Sequence, residues 1–184
     1  MKFNNSHVDL DEIEEFTIAH YEDNAESFRV GTKDHDVSQN IDAFLSALPK
    51  EKNLDILDFG CGPGPALAQM LRDSGYKMDL YDPLFWDDNS ALEKSYDFVT
   101  CTETIEHFSN PASDFALLDS VVKDEGVLAV MTSILYKEVI FEDWYYKLDP
   151  THVSFYTPST MEWISNKFNW AIESAHKNVY FFIK

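Results

Sequence analysis

Residues 54–75, LDILDFGCGPGPALAQMLRDSG, decide the fold. The short apolar run LDILDF ends at a glycine, and PALAQMLRDSG then reads as a helix with Pro65 in its first turn and Gly75 past its end. Strand, glycine turn and helix together open a βαβ unit. Downstream, further strands are predicted at KMDLYD (77–82, closed by Pro83), YDFVTCT (96–102) and GVLAVMT (126–132). Between the last two, Asn110 and Pro111 start a helix carrying Phe115, Leu118 and Val122. Thr157 and Pro158 open another at 158–167, followed by WAIESA and VYFFIK, which should pair antiparallel as a hairpin. This alternation predicts an α/β fold with an open, mostly parallel sheet and helices on both faces. Only about fourteen residues separate Asp82 from Tyr96, too few for a helix plus a strand, so one α/β unit should be trimmed there.

Upstream, Val37, Ile41, Phe44, Leu45 and Leu48 form a stripe on one helical face, with Asp34 or Asp36 as an N-cap and Pro49 as the stop. Residues 1–50 thus read as a helical preface to a core over 51–184. With no repeat, low-complexity tract or linker, 1–184 reads as one domain. At 184 residues and 45% hydrophobic, such a domain can fill its own core. A formal charge of −19 disfavours nucleic acid as a partner. Cys61 and Cys101 form neither a disulfide framework nor a zinc spacing, and with no membrane-spanning run or signal peptide a cytoplasmic location is expected.

Gly60, Gly62 and Gly64 lie directly between strand and helix, where a backbone without Cβ atoms lets a ligand approach the turn. Position 65 is Pro rather than the third glycine of a dinucleotide fingerprint, and no Walker A ending follows. Asp82 ends the next strand, where a carboxylate can accept ribose hydroxyls. An adenosine ligand without a pyrophosphate fits both features.

ILDFGCGPG, then LYDP, then YDFVTCTETIEHF and GVLAVMTS together resemble a class I S-adenosylmethionine-dependent methyltransferase, of the small bacterial type 11 and 23 kind. The resemblance covers residue 50 to the end. It implies a Rossmann-like sheet of seven strands, the last antiparallel, and S-adenosylmethionine as cofactor. Asp58, Gly60, Gly62, Gly64 and Thr102 would then surround the cofactor, and Asp82 would bind its ribose. The trimmed segment lacks the usual acidic signature near the adenine, so Leu84, Phe85 or Trp86 would stand in as an apolar wall. YEDNAESF and HDVSQNI resemble lid helices over the cofactor, with Tyr21, Phe28, Arg29 and His35 as candidate contacts.

Glu103, Glu106 and His107 follow the strand at 96–102 with spacing i, i+3, i+4, which one helical turn would bring to one face at the carboxyl end of the sheet. The segment YKEVIFEDWYYKLDPTHVSFYTP, dense in aromatics and containing His152, reads as a functional loop closing over that site. Two carboxylates and two imidazoles suit magnesium or manganese, and the ExxEH pattern with a later histidine resembles the metal set of the small-RNA 3′-terminal 2′-O-methyltransferases. That resemblance implies Glu103, Glu106, His107 and His152 as ligands; the EH portion also resembles ubiquinone-pathway O-methyltransferases. A metal-free reading makes His107 or His152 a general base beside Glu106, and a third leaves Glu106 and His107 only to cap the turn. Trp144, Tyr145, Tyr146, Phe155 and Tyr156 either wall an apolar acceptor or pack over the sheet.

These features together favour methyl transfer to a small-molecule acceptor, oxygen ahead of other atoms. A methyltransferase-fold binding module without turnover, and an RNA 2′-O-methyltransferase, are the alternatives.

Overall fold

The computed structural model describes residues 53–184, together with 18, 19, 44 and 46–48. The chain divides into two compact units, Met1–Val37 and Ser38–Lys184, and the architecture below belongs to the second. The proposed lid contacts Tyr21, Phe28, Arg29 and His35 lie outside the described residues. Of the predicted stripe before Pro49, Phe44 and Leu48 are described. Both are buried, and the Leu48 amide donates to the Phe44 carbonyl as one helical turn requires.

Among the described residues six strands form: β1 (Ile56–Phe59), β2 (Met78–Tyr81), β3 (Tyr96–Thr102), β4 (Val122–Met131), β5 (Ala171–His176) and β6 (Val179–Ile183). They lie in the order β2-β1-β3-β4-β6-β5. Pairs β2–β1, β1–β3 and β3–β4 are parallel, whereas β6 runs antiparallel to both β4 and β5, as the predicted hairpin demands. The helices described over their full length from residue 53 on are α1 (Ala66–Asp73), α2 (Pro111–Val121) and α3 (Pro158–Phe168).

Alternation along the strands separates two apolar cores. Ile56, Phe98, Ala129 and Phe181 pack with Ala68 and Leu71 of α1 and with Phe44 on one face. Leu57, Val99, Leu128 and Phe182 pack with Leu118 of α2 and Met161 of α3 on the other. Packing on both faces explains why all four residues of β1, Ile56–Phe59, are buried.

The expected seventh strand is absent among the described residues. Between β2 and β3 the chain makes only a bridge from Asp82 to Trp86 and a 3₁₀ turn, Asn89–Glu93, so the sheet has six strands. The trimmed edge is closed by side chains: Tyr96 Oη lies 2.8 Å from the Ala91 carbonyl and 3.0 Å from Asp79 Oδ2, which Lys94 Nζ also reaches at 2.8 Å. Strand β4 begins at Val122 rather than Gly126, ending α2 one residue early, and Glu125 takes a left-handed φ of 64°.

Strand order reverses at β1, with β2 on one side and β3 on the other. The crevice beyond the carboxyl ends of β1 and β3 is where open α/β sheets bind ligands. Both the glycine turn and the acidic constellation emerge there.

Candidate active site

The glycine turn follows β1 directly. Gly60 and Gly62 hold φ of 73° and 65°, a region that side-chain-bearing residues avoid. Their needs differ. A Cβ on Gly60 would lie 2.1 Å from the Thr104 side chain, whereas one on Gly62 or Gly64 would meet nothing within 4 Å. Gly60 is therefore demanded by packing, and the other two border open space.

Asp82, just past β2, is buried, and its carboxylate is occupied by its own backbone. Oδ2 accepts from the Gly62 amide at 2.9 Å; Oδ1 accepts from the amides of Leu84 at 2.9 Å and Phe85 at 3.1 Å. A carboxylate offers roughly four acceptor positions, so about one remains for a ribose hydroxyl. Asp58 lies under the turn, accepting from Thr100 Oγ1 at 2.7 Å, and burial raises its carboxyl to about 6. Burial likewise pushes the Cys61 thiol up to about 12, which keeps it protonated. Thr102 ends β3, half-buried, beside the turn's Thr104 partner.

Beyond β3 the chain does not form the α-helical turn that the spacing suggested. Glu103 adopts a left-handed φ of 48° because its amide is taken by the Met131 carbonyl at 2.8 Å, and only Ile105–His107 close into a 3₁₀ turn. Thr104 lies between these parts, its hydroxyl within 3.1 Å of the Gly60 carbonyl and 2.9 Å of the Thr102 carbonyl. This one residue ties the acidic constellation to the glycine turn.

Glu106 is fully buried, and among the described residues no lysine or arginine pairs with it. Thr132 Oγ1 donates to its Oε2 at 2.9 Å, and the Tyr146 hydroxyl donates to its Oε1. Tyr146 Oη also lies 2.9 Å from Glu103 Oε2. Desolvation by surrounding protein, then the charge of Glu106, lifts the Glu103 carboxyl well above the ordinary carboxylate range, although part of the residue stays exposed.

His107 and His152 meet here, ring centroids 5.0 Å apart. His107 Nδ1 faces the Thr151 carbonyl at 3.0 Å and His152 Nδ1 faces the Tyr146 carbonyl at 2.7 Å. A carbonyl only accepts, so Nδ1 donates on both rings, and Nε2 of His152 lies 3.8 Å from Asp149 Oδ2. Burial lowers the His107 pKa, against the pull of Glu106, and keeps that ring neutral at pH 7. Donor atoms of Glu106, His107 and His152 all lie within 4.8 Å of one another. Of the four proposed ligands the structure gathers these three, and Glu103 stands beside them across Tyr146. Two imidazoles whose Nδ1 atoms face main-chain carbonyls, next to a buried carboxylate that no lysine or arginine pairs with among the described residues, are a donor set chemically suited to a divalent ion.

The aromatic segment forms two 3₁₀ turns, Phe141–Asp143 and Tyr145–Leu148, and clamps onto the first turn after β3. The amides of Val153 and Ser154 both donate to the Glu106 carbonyl at 2.9 Å. Phe141, Trp144 and Phe155 pack ring against ring at 5.4–6.3 Å. Tyr156 instead turns inward, its hydroxyl donating to the Ile105 carbonyl at 2.8 Å. The roles of Thr104, Thr132, Tyr146 and Thr151 carried no motif in the sequence.

A family model described as a methyltransferase domain matches residues 33–175. The chain belongs to the methyltransferase domain family. Its fold is that of S-adenosylmethionine-dependent methyltransferases, as three solved structures illustrate. Magnesium protoporphyrin IX methyltransferase from Synechocystis PCC 6803, with bound S-adenosylhomocysteine, superposes at TM-score 0.58 and 15% identity, over 79% of this chain and 82% of that one. An O-methyltransferase family protein from Burkholderia thailandensis gives 0.57 and 14%, covering 80% of this chain and 55% of its own. Phosphoethanolamine N-methyltransferase 2 from Haemonchus contortus, in complex with S-adenosylmethionine, gives 0.58 and 15%, covering 75% and 38%. This methyltransferase thus spans about half the length of the Burkholderia protein. No curated protein matches its sequence. None of its described helices is long and apolar enough to cross a membrane.

Proposed function

We propose that this methyltransferase transfers the methyl group of S-adenosylmethionine to a hydroxyl of a small, aromatic-walled acceptor, with a divalent ion held by Glu106, His107 and His152. The observation that carries the reading is the convergence of those three donors, two of which follow Thr104 by two and three positions, while Thr104 itself packs on the cofactor-type turn at Gly60. The neighbours cited above include both oxygen and nitrogen methyltransferases, so the donor set, and not the fold, favours oxygen.

The cofactor, seen as such or as its product in two of those neighbours, supplies a methyl group on a strongly electrophilic sulfonium. In this chain Gly62 and Gly64 leave the space for it, and Asp82 keeps one acceptor position for its ribose. Methyl transfer is an in-line displacement, so the remaining task is to align the acceptor and make it nucleophilic. A divalent ion would lower the pKa of a bound hydroxyl and orient it. Two imidazoles beside one carboxylate favour manganese over the oxygen-seeking magnesium. Trp144 and Phe155 pack ring against ring behind Tyr146, whose own ring meets His152, which supports an apolar flank to the site. The acidic composition supports a small molecule over RNA.

A second reading has support in the neutral His107: metal-free proton abstraction by a lone-pair Nε2. Calorimetric titration of manganese into protein saturated with S-adenosylhomocysteine separates the two. Stoichiometric binding lost in Glu106→Gln and in His152→Asn supports the ion, and formation of S-adenosylhomocysteine with catechol or vicinal-diol acceptors should then require it. No binding, with the cofactor product bound normally, overturns the ion reading. Turnover of such acceptors in chelator would favour the histidine base.

A further inference from the structure

We propose that Tyr146 is the positioning residue of this donor set, its hydroxyl orienting Glu106 and its main-chain carbonyl orienting His152. The inference rests on the divalent-ion reading above and adds a residue that reading does not contain.

Three contacts argue for it. The Tyr146 hydroxyl donates to Glu106 Oε1 while Thr132 Oγ1 holds Oε2 at 2.9 Å, so both oxygens of the carboxylate are pinned and its plane cannot rotate. The Tyr146 carbonyl accepts from His152 Nδ1 at 2.7 Å, which fixes the Nδ1 proton and the orientation of the ring. The Tyr146 ring also lies 4.1 Å from the His152 ring, backed by Trp144 at 5.2 Å, which limits tilting of the imidazole. One residue, through its hydroxyl and its main-chain carbonyl, therefore sets two of three donors and joins the end of β3 to the aromatic segment. Its neighbour Tyr145 does neither: Tyr145 is 69% exposed, against 6% for Tyr146.

The hydroxyl can be removed without undocking the segment, because other bonds hold the segment in register. The Val153 and Ser154 amides bind the Glu106 carbonyl, Ser154 Oγ donates to the Phe108 carbonyl at 2.7 Å, and Tyr156 Oη donates to the Ile105 carbonyl. Tyr146→Phe keeps the ring and the carbonyl and deletes the hydroxyl's grip on the carboxylates together with its 3.2 Å contact to Thr132 Oγ1.

The test is manganese titration of wild type, Tyr146→Phe and Tyr145→Phe, each loaded with S-adenosylhomocysteine, with the affinity for S-adenosylhomocysteine measured alongside. Tyr146→Phe should bind manganese about 10–100-fold more weakly, the usual cost of losing a partner behind a metal ligand. Its S-adenosylhomocysteine affinity should stay at the wild-type value, and Tyr145→Phe should match wild type in both. A general folding defect would lower both affinities together, so the split between them is the diagnostic. Should Tyr146→Phe fold poorly, Thr132→Val removes the other hydroxyl on Glu106 and should weaken manganese in the same direction. Wild-type manganese affinity in a folded Tyr146→Phe, or in Thr132→Val where that variant stands in, overturns the positioning role while the ion reading stands. Absence of manganese binding to wild type overturns both.

Discussion

The Gly62 amide donates to Asp82 Oδ2 at 2.9 Å, so the turn after β1 is held in shape by the residue just past the neighbouring strand β2. With two further amides on its other oxygen, Asp82 works on the protein before it meets any ligand. Asp82→Ala should therefore do two things at once. Binding of S-adenosylhomocysteine should weaken by about 1.5–3 kcal/mol, as for a lost hydrogen bond to a charged acceptor, and the melting temperature should fall as three amides lose their partner. Calorimetry and thermal unfolding of the same sample check both; an unaltered melting temperature would mean that the turn holds itself.

The glycines of the turn should respond differently to alanine. Gly60→Ala forces a Cβ onto Thr104 at a left-handed φ, and should destabilise the fold by about 2–4 kcal/mol from strain and overpacking together. Gly64→Ala meets no protein atom and needs no left-handed backbone, so it should unfold like wild type. It should nevertheless bind S-adenosylhomocysteine about 10–100-fold more weakly if the cofactor fills that space, the equivalent of about 1–3 kcal/mol of clash. Denaturant melts paired with binding isotherms separate the two effects.

Asp58 should leave a signature in the pH dependence of stability. Burial raises its folded-state pKa from 3.8 to about 6, so between those values the native protein binds more protons than the unfolded chain. Its contribution is fully present below pH 4 and is lost as pH rises through about 6. A shift of about two units corresponds to about 3 kcal/mol. Asp58→Asn keeps an acceptor for Thr100 and removes the titration, so its advantage over wild type should grow by about that amount between pH 4 and 7. Parallel stability curves for the two proteins would show that Asp58 titrates as an exposed carboxylate does.

Some of the site was legible because its signals are local. LDILDF and the glycines after it announce a strand and a turn within a dozen residues, since apolar period and positive-φ tolerance depend on neighbouring positions alone. The shortness of the segment after Asp82 also announced a missing unit, although the family resemblance still implied seven strands where six form. The spacing of Glu103, Glu106 and His107 placed them near one another but suggested a single helical face. That arrangement was overridden from a distance: Met131 captures the Glu103 amide and turns the backbone left-handed, so Glu103 faces Glu106 across Tyr146.

What the sequence determined by itself was the alternation of strands and helices, the glycine turn and the residue types available for chemistry. All of these follow from interactions between residues a few positions apart. Only the tertiary structure decided which residues meet. His107 finds the Thr151 carbonyl forty-four positions away, Glu106 finds Tyr146 across forty, and Gly60 is pressed by a threonine forty-four residues on. Those pairings depend on the parallel register of β1, β3 and β4 and on the path of the aromatic segment, which side-chain packing over the whole sheet selects and no local pattern encodes.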